Sequence, residues 1–477
     1  MTTLEMPAIF PVASHTDNVG AGSTFVVIKG LSKDGLEFVP LAIERGASRI
    51  VVEKTALLSH ELLQFCHERN IVIEYVDNSR KALAQLSAQA AGYPARQLQL
   101  YGVTGTKGKT SSVWILYHML CNLGVKTALM STIGNYIGTY SCNAGMTTPQ
   151  PDYIHQFLKL CVDNGITHVV METAAQATTF FRLETLEFDA LIFTNLEQEH
   201  GELYSSLDQY FEAKRKICDF LKSTGHLIVN QDGIYGQKLM QLYNKTISFS
   251  FENQDSLYYC TYQISENDGV IIKIVHDHAE YLFSYTQFIG FFNAYNIAGV
   301  ITLLLKEGFE SDKIQQAIEK VPAIPGRMEK YKLKNGALVI IDYAHTPSSF
   351  EALFKALSSS SIKLHIVFGA GGGKDTTKRP LMGALAAFYG HKVYLTNDNP
   401  RYDDPLNIAA QIYNGIPEVF RAKVIVELDR QKAIEQAIAE SDDKTVILLL
   451  GKGPDEYQLV QGQKIFFSER LIALQHQ

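Results

Sequence analysis

The sequence predicts an α/β protein of three domains, and three observations support this fold class. The chain has 477 residues, more than one hydrophobic core normally serves, which favours about three domains. Short apolar runs of strand length alternate with amphipathic helical stretches, as in doubly wound parallel sheets. A glycine-rich stretch at 102–112 joins an apolar run to a helical pattern. Because such sheets bind ligands at the carboxyl ends of their strands, we expect the functional residues in loops that follow strands.

The first predicted domain, residues 1–97, is a small α/β domain. Strands are predicted where β-branched and aromatic residues cluster, at 25–28, 49–52 and 71–73. Helices are predicted where apolar residues recur at helical spacing, at 38–45 and 80–91. Gly46 follows the first of these helices, at the position where glycine commonly ends a helix.

The central domain, residues 98–324, begins with the glycine-rich stretch Gly-Val-Thr-Gly-Thr-Lys-Gly-Lys-Thr-Ser-Ser. A strand, a glycine loop and a helix present backbone N–H groups and a positive helix end to phosphate oxygens. Lys109 can reach the outer phosphates of a nucleotide, and the Thr110 hydroxyl can bind Mg²⁺. An ordinary strand-to-helix turn is the alternative, and the Gly-Lys-Thr triplet in this context favours phosphate binding. The predicted phosphate-binding residues are Gly105, Thr106, Lys107, Gly108, Lys109, Thr110 and Ser111.

Three further residues of the central domain are candidates for a metal site. Glu172 follows the apolar run 169–171, so its carboxylate is expected at a strand end near the phosphate loop, where it could bind Mg²⁺. A surface acid is an equally good interpretation from spacing alone. His200 follows another predicted strand, 190–193, and lies 14 positions before Lys214, which falls in a predicted helix. Taken alone, these two residues are better interpreted as a loop histidine and a solvated lysine.

The third domain, residues 325–477, repeats the pattern of strand, loop and helix and is predicted to be Rossmann-like. Pro322, Pro325 and Gly326 mark its start. A strand is predicted at 364–368, and a run of glycines follows it. A helix is predicted to begin at Pro380 and to end at Gly390. A second strand is predicted at 393–396.

Composition excludes several classes of function. A formal net charge of −7 argues against nucleic acid or an anionic membrane as a partner. The six cysteines form no CxxC pair, so neither zinc nor a disulfide framework is indicated. The N-terminus lacks a signal segment, and apolar runs such as 446–450 are too short to span a bilayer. We expect a cytoplasmic protein that acts on small molecules, without a membrane or obligate protein partner.

These segments resemble the Mur ligase family and its folylpolyglutamate synthetase relatives. The phosphate loop has the family's short form, with Val103 where a standard P-loop has its first glycine. Residues 194–200 resemble the family pattern Thr-Asn-Leu-x-x-Asp-His, which a lysine follows 14 residues later; here Glu199 replaces the Asp. The resemblance implies that Lys214 is carbamylated and helps His200 to hold a second Mg²⁺. It implies four metal-binding residues, Thr110, Glu172, His200 and Lys214, and four catalytic residues, Lys109, Glu172, His200 and Lys214.

The resemblance extends along the chain and implies further binding residues. For adenosine they are Asn293, Arg327, Asp342 and His345. For the acceptor they are Thr16, Thr147, Thr148 and Arg182. For the incoming amino acid they are Lys374, Asn399, Arg401, Gly451 and Asp455. Residues 398–401, Asp-Asn-Pro-Arg, resemble the family motif that binds the distal carboxylate of meso-diaminopimelate. The resemblance implies that Arg401 binds this carboxylate, since a guanidinium group donates two parallel hydrogen bonds. A capped turn is the alternative for this motif alone.

The activity that the resemblance implies is an ATP-dependent, ADP-forming ligase. It would add meso-diaminopimelate to UDP-N-acetylmuramyl-L-Ala-D-Glu through an acyl phosphate, with ATP and Mg²⁺ as cofactors. Several positions depart from the family pattern: Lys374 replaces an Arg, Asp455 replaces a Glu, Asp17 replaces an Arg, and 174–176 lose two hydroxyls and an imidazole. The alternatives are a paralogue that uses a non-muramyl acceptor, a folylpolyglutamate synthetase, and a non-enzymatic nucleotide-binding scaffold.

Overall fold

The computed structural model describes residues 5–30, 33–138, 140–142, 145–197, 203–264, 270–286, 291–357 and 362–477. These residues divide into two compact units: the first comprises most of the chain up to Val321, and the second comprises Pro322–Gln477 together with Thr286 and Phe291. Within the described ranges, no helix is both long and apolar enough to cross a membrane.

The N-terminal part of the first unit forms a small parallel sheet. Its strands are β1 (Val12–Ala13), β2 (Thr24–Val26), β3 (Arg49–Glu53) and β4 (Val72–Val76), paired in chain order. Its helices are α1 (Val39–Glu44), α2 (His60–Glu68) and α3 (Ser79–Ala90). Ser59 and Asn78 start α2 and α3, because their side-chain oxygens accept N–H groups that have no partner within the helix. Each predicted strand and helix of this region is found, with its ends shifted by no more than three residues.

The rest of the first unit is one large sheet with helices around it. Its strands are β5 (Gln99–Thr104), β6 (Thr127–Ser131), β7 (Gly134–Ile137), β8 (Tyr140–Cys142), β9 (His168–Glu172), β10 (Phe188–Phe193), β11 (Leu221–Asn230), β12 (Thr246–Ser250), β13 (Tyr258–Ile264), β14 (Val270–His276) and β15 (Ala279–Tyr285). Its helices are α4 (Lys109–Asn122), α5 (Pro151–Asp163), α6 (Ala175–Thr179), α7 (Leu207–Arg215), α8 (Ile234–Leu242), α9 (Phe291–Lys306) and α10 (Ser311–Glu319).

The strand order is β15-β14-β13-β12-β11-β10-β5-β9-β6-β7-β8. The centre is parallel, as predicted, whereas β14 and β15 at one edge and β7 and β8 at the other are antiparallel to their neighbours. The expectation of parallel pairing throughout was therefore wrong at the edges. Two-residue turns join β6 to β7 and β14 to β15, and so short a connection permits only antiparallel pairing. Asp277 and His278 both have positive φ, as a type I′ turn requires.

The second unit is a sheet with helices on both faces. Its strands are β16 (Glu329–Lys332), β17 (Leu338–Asp342), β18 (Lys363–Phe368), β19 (Lys392–Leu395), β20 (Val424–Val426) and β21 (Thr445–Leu450), paired in the order β16-β17-β21-β18-β19-β20, with only β16 antiparallel among these. A separate hairpin joins β22 (Tyr457–Val460) and β23 (Gln463–Phe466). The helices are α11 (Pro347–Leu357), α12 (Lys378–Tyr389), α13 (Pro405–Asn414), α14 (Arg430–Ala439) and α15 (Glu469–Gln475).

The central strand β21 is buried on both faces. Ile447 and Leu449 belong to one apolar core, and Leu448 and Leu450 to the other. This alternation is what a doubly wound sheet requires of its middle strand.

The helix predicted to open at Pro380 begins two residues earlier, at Lys378. Proline is tolerated there because N–H groups of the first turn have no partner within the helix. The helix ends at Tyr389, before Gly390, as predicted.

Candidate active site

The residues predicted to bind phosphate form the turn between β5 and α4. Gly105 and Gly108 have φ of +149° and +84°, where residues with a Cβ are strained. A Cβ on Gly105 would overlap the Thr194 hydroxyl oxygen, and one on Gly108 would overlap the side-chain oxygen of Asn296. The loop therefore needs glycine at both positions. Helix α4 begins at Lys109, so the N–H groups of its first turn, which lack acceptors within the helix, lie at this loop.

The segment that follows β10 holds the phosphate loop in place. The Asn195 carbonyl oxygen accepts Thr106 N–H at 2.9 Å, and Asn195 Oδ1 accepts Lys107 N–H at 2.9 Å. Thr194 Oγ1 donates to the Lys107 carbonyl at 2.6 Å, and Lys107 pairs with Glu197 at 2.6 Å. Sequence reasoning missed the role of Asn195. The available signal was a Thr-Asn pair directly after a buried strand.

Glu172 ends β9, the strand next to β5, and is 1% exposed. Its Oε2 accepts a 3.1 Å hydrogen bond from Thr110 Oγ1. Its Oε1 accepts hydrogen bonds from Ser131 Oγ at 2.6 Å and Thr132 N–H at 2.8 Å, which fix the orientation of the carboxylate. Hydroxyl and carboxylate oxygens are the ligands that Mg²⁺ prefers. Thr110 and Glu172 therefore fit a magnesium ion beside the phosphate loop.

Lys214 lies on α7, is 1% exposed, and donates a 2.6 Å hydrogen bond to the Gly105 carbonyl oxygen. Its Nζ is 4.5 Å from the centroid of the Tyr210 ring. An ammonium group cannot ligate a metal, whereas a carbamate on the same nitrogen would offer carboxylate-like oxygens. His200, the other predicted ligand, lies outside the described residues. Among the residues that are described, no group of three or more His, Cys, Asp or Glu side chains is placed to hold a metal ion.

Two more predicted residues lie near the phosphate loop. Lys109 Nζ donates to the carbonyl oxygens of Gly105 at 2.9 Å and Thr106 at 2.8 Å. Asn293 is buried on α9, and its Oδ1 accepts a 3.4 Å hydrogen bond from Asn296, the residue that meets Gly108.

Three of the predicted acceptor-binding residues lie beside Glu172. Thr148 Oγ1 donates to the Glu172 carbonyl at 2.8 Å, and Arg182 Nη1 donates to the Thr148 carbonyl at 2.7 Å. Thr147 Oγ1 accepts a 3.1 Å hydrogen bond from the Thr132 hydroxyl.

Thr16, the fourth, lies in a 3₁₀ turn at Thr16–Asn18 after β1. Within the described part of the chain its side chain makes no hydrogen bond to the other three. The strand end before it is tied to α5, because Ser14 N–H and Oγ both donate to Asp152 Oδ2 at 2.7 Å. Sequence reasoning missed Asp152.

In the second unit, three of the residues predicted to bind adenosine, Arg327, Asp342 and His345, lie near the end of β17. Burial raises the pKa of Asp342, whose Oδ2 accepts Met328 N–H at 2.8 Å, and Arg327 opposes that rise. The Arg327 guanidinium carbon lies 4.4 Å from the centroid of the Tyr343 ring. His345 Nδ1 is 2.8 Å from the Tyr343 carbonyl oxygen.

The residues predicted to bind the amino acid lie at the ends of β19 and β21. Asn399 Oδ1 accepts a 3.3 Å hydrogen bond from Lys452, which is fully buried. Gly451, with φ of +103°, leaves room for the carboxylate of Asp398. Burial raises the pKa of Asp455, and the Lys452 ammonium opposes that rise.

Arg401 and Lys374 complete this group. Arg401 has φ of +55°, and its backbone N–H donates to the Leu459 carbonyl at 2.8 Å. The glycine loop 369–373 reaches the same place, because Gly372 N–H donates to the Asn399 carbonyl at 3.0 Å. Lys374 follows that loop and is exposed, and it makes no ion pair with any described residue.

Comparisons with known proteins identify the family of this chain. Residues 103–304 match the family model of the Mur ligase middle domain, and residues 326–453 match that of the Mur ligase, glutamate ligase domain. The UDP-N-acetylmuramoyl-L-alanyl-D-glutamate--2,6-diaminopimelate ligase of Aquifex aeolicus is 35% identical over 462 residues, 97% of this chain and 92% of its own length. The chain belongs to the Mur ligase family. An enzyme of the same name from Prochlorococcus marinus is 33% identical over 480 residues, 97% of this chain and 92% of its own length.

Solved Mur ligases share the fold. A UDP-N-acetylmuramoyl-L-alanyl-D-glutamate--2,6-diaminopimelate ligase superposes with a TM-score of 0.65 at 23% identity and covers 98% of this chain and 94% of its own. MurF ligase from Thermotoga maritima, solved with ADP, has a TM-score of 0.65 at 19% identity and covers 94% and 95%. The predicted fold class, three α/β domains with a central P-loop sheet, is confirmed.

Proposed function

We propose that this Mur ligase joins meso-diaminopimelate to UDP-N-acetylmuramyl-L-Ala-D-Glu and converts ATP to ADP and phosphate. The observation that carries the proposal is the 3.1 Å contact between Thr110 of the phosphate loop and the Glu172 carboxylate. The similarity to known enzymes adds to this contact, because the chain is 35% identical, over 97% of its length, to a relative named for this reaction.

In the proposed reaction, the acceptor carboxylate attacks the γ-phosphate of ATP, and the bond to ADP breaks. The amine of the amino acid then attacks the resulting acyl phosphate, an amide forms, and phosphate leaves. Lys109 and the N–H groups at the start of α4 bind and orient the phosphates. Thr110 and Glu172 would hold one Mg²⁺, and His200 with carbamylated Lys214 a second. Magnesium, when bound, offsets the negative charge that accumulates at the phosphates.

We assign the remaining predicted residues to three ligands. Thr16, Thr147, Thr148 and Arg182 are assigned to the acceptor, and Asn293, Arg327, Asp342 and His345 are assigned to the adenosine. Asn399, Arg401, Gly451, Lys374 and Asp455 form the amino-acid pocket. The Arg401 guanidinium would bind the distal carboxylate of diaminopimelate, and the Asp455 carboxylate its distal ammonium.

We further propose that residues 1–97, 98–324 and 325–477 are domains that bind the acceptor, ATP and the amino acid. The assignment is supported by separate sheets, formed by β1 to β4, by β5 to β15 and by β16 to β21. A cytoplasmic location would suit both the consumption of ATP and the free cysteines, such as Cys66 and Cys161.

The test is a direct assay of the product. Purified protein is incubated with ATP, Mg²⁺ and UDP-N-acetylmuramyl-L-Ala-D-Glu, with meso-diaminopimelate or L-lysine supplied separately. Mass spectrometry is expected to detect the tripeptide with diaminopimelate, and ADP release is expected to require both substrates. Absence of any tripeptide, with ATP binding intact, would refute this choice of substrates.

Two observations favour a second candidate, a paralogue that uses a non-muramyl acceptor. Asp17 stands where the family has an arginine, and it pairs with Arg45 at 2.7 Å. Ala174 and Ala175 also lack the hydroxyls that the family pattern has there. Product formation with a non-muramyl carboxylate, and none with the muramyl dipeptide, would favour the paralogue.

A further inference from the structure

Two arginine side chains from distant segments approach one phenylalanine ring in the first unit. The guanidinium carbons of Arg80 and Arg182 lie 4.8 Å and 5.5 Å from the centroid of the Phe180 ring. A third cation is next to them, because Lys81 Nζ lies 5.0 Å from the centroid of the Phe181 ring. Phe181 has φ of +54°, an uncommon conformation for a large residue that its surroundings must sustain.

The hydrogen-bond partners of these two arginines are backbone carbonyl groups. Arg80 donates to the Lys29 carbonyl and Arg182 to the Thr148 carbonyl, each at 2.7 Å, and both acceptors are neutral. Neither arginine forms an ion pair with a carboxylate anywhere in the described ranges. Glu53 acts electrostatically on Arg80, and its Oε1 already accepts hydrogen bonds from Ser79 N–H and Oγ at 3.0 Å.

The placement of Arg80 is also unfavourable within its own helix. Arg80 is the second residue of α3, a 12-residue helix, and Lys81 is the third. The first turn of a helix carries a partial positive charge, so cations there are destabilising and anions are stabilised. The positive helix end and the two guanidinium groups therefore create a field that attracts an anion.

Arg182 also offers an unused hydrogen-bond donor. Its Nε is buried and has no partner among the described residues. Burial, with the nearby charge of Arg80, lowers the pKa of Arg182 to about 10. The guanidinium therefore stays protonated at neutral pH, and a buried charge that is incompletely paired is costly until an anion binds.

We propose that Arg80 and Arg182 together bind an oxyanion of the acceptor, a phosphate or a carboxylate, and that Arg80 is a specificity-determining residue. The geometry supports this, since Arg182 binds the Thr148 carbonyl and Thr148 Oγ1 in turn binds the Glu172 carbonyl. The anion would thus lie beside the loop that the acceptor is proposed to occupy. Planar guanidinium groups suit the paired oxygens of either anion. The inference rests on the proposed function, because it takes this loop as the acceptor site.

The test compares acceptor binding by the wild-type protein, Arg80→Gln and Arg80→Lys by calorimetry. Saturating Mg²⁺ and a non-hydrolysable ATP analogue keep the phosphate loop occupied. We expect Arg80→Gln to weaken binding of UDP-N-acetylmuramyl-L-Ala-D-Glu at least about tenfold, and Arg80→Lys to weaken it less. The control is Arg69→Gln, because the Arg69 guanidinium also lies on an aromatic ring, 3.7 Å from the centroid of Phe65. Unchanged acceptor affinity in folded Arg80→Gln overturns the proposal.

Two truncated acceptors identify the oxyanion. UDP-N-acetylmuramic acid retains the phosphates but lacks the dipeptide, and N-acetylmuramyl-L-Ala-D-Glu retains the dipeptide but lacks the phosphates. Arg80→Gln is expected to weaken binding only of the truncated acceptor that carries the oxyanion bound by the two arginines. If the wild-type protein binds no muramyl acceptor, the proposed function fails. The anion site is then tested by thermal stabilisation with pyrophosphate or succinate, and equal stabilisation of wild type and Arg80→Gln refutes it.

Discussion

The Lys214 ammonium donates a 2.6 Å hydrogen bond to the carbonyl oxygen of Gly105, a residue 109 positions earlier in the chain. This contact joins α7 to the phosphate loop, so Lys214 has two candidate roles: a cation that supports the loop, or a carbamate that binds metal.

Replacing Lys214 with Arg distinguishes the two roles. Arginine keeps the charge and can donate to the same carbonyl, but it cannot take the place of a carbamate. We expect Lys214→Arg to lower kcat at least about 100-fold with ATP affinity within threefold of wild type, as loss of transition-state stabilisation predicts. Coupled measurement of ADP release and a nucleotide titration check this. Near-normal turnover would show that the cation alone suffices.

Gly108 and Gly124 form a matched pair for testing the phosphate loop. Both have a left-handed backbone, with φ of +84° and +83°, but only at Gly108 would a Cβ overlap a neighbour, the side chain of Asn296. Each Gly→Ala change should cost about 1 kcal/mol of backbone strain. We expect Gly108→Ala to abolish ATP binding in a nucleotide titration, whereas Gly124→Ala leaves it intact. Adding Asn296→Ala to the Gly108→Ala variant should restore part of the binding. Equal ATP affinity of Gly108→Ala and Gly124→Ala would contradict the proposed overlap between a Cβ at position 108 and the Asn296 side chain.

His155 should make stability depend on pH. Burial lowers its pKa to about 4 from 6.5, and its Nε2 lies 2.9 Å from Thr185 Oγ1. Because the folded-state pKa is depressed, the unfolded chain binds the proton first, and stability is lost as pH falls from 6.5 towards 4. Linkage gives a loss of roughly 2 kcal/mol between pH 7.5 and pH 5.

Denaturant titrations at the two pH values should show a smaller loss in His155→Gln than in the wild type. His118, whose pKa burial also lowers to about 4, is present in both proteins, so the difference between them isolates His155. An identical loss of stability in both proteins would rule out titration of His155.

Arg430 is predicted to position the amino-acid pocket. Its fully buried guanidinium donates to the Asn397 carbonyl at 3.0 Å, to the Leu450 carbonyl at 2.8 Å and to Glu469 at 2.8 Å. Those two carbonyls precede the loops that carry Asn399 and Gly451. Arg430→Met should raise KM for the amino acid about tenfold and leave KM for ATP unchanged.

The same substitution should also cost about 3–5 kcal/mol, because Glu469 is left buried without its partner. Combining Arg430→Met with Glu469→Leu removes both charges and should restore much of the stability. If the raised amino-acid KM persists in the stable double variant, Arg430 positions the loops. If KM returns to normal, its role is only structural.

Local signals in the sequence were sufficient to predict the phosphate loop, its flanking strand and helix, and the neighbouring strands β9 and β10. Strand, glycines and helix are contiguous at 99–122, so each of these elements can be recognised from neighbouring residues. The antiparallel pairing at the edges of the sheet was not predicted, because pairing direction depends on turn geometry. Asp277 and His278 are not a typical turn pair, so their positive φ could not be anticipated.

The side-chain contacts of the candidate site could not be predicted from spacing. Asn195 holds a loop that lies 88 positions earlier, and Arg80 meets a ring 100 positions later. Such contacts arise only when the sheet order brings distant strand ends together. A single sequence records the residues but not that order.

The double-sided burial of β21 constrains how the protein could evolve. Inserting or deleting one residue in this strand would exchange the residues of the two cores and move Gly451 by about 3.3 Å. Point substitutions in the loop beyond Gly451 carry no such penalty. A lineage that adopts a different amino acid is therefore expected to change side chains such as Asp455 while it conserves the length of the strand.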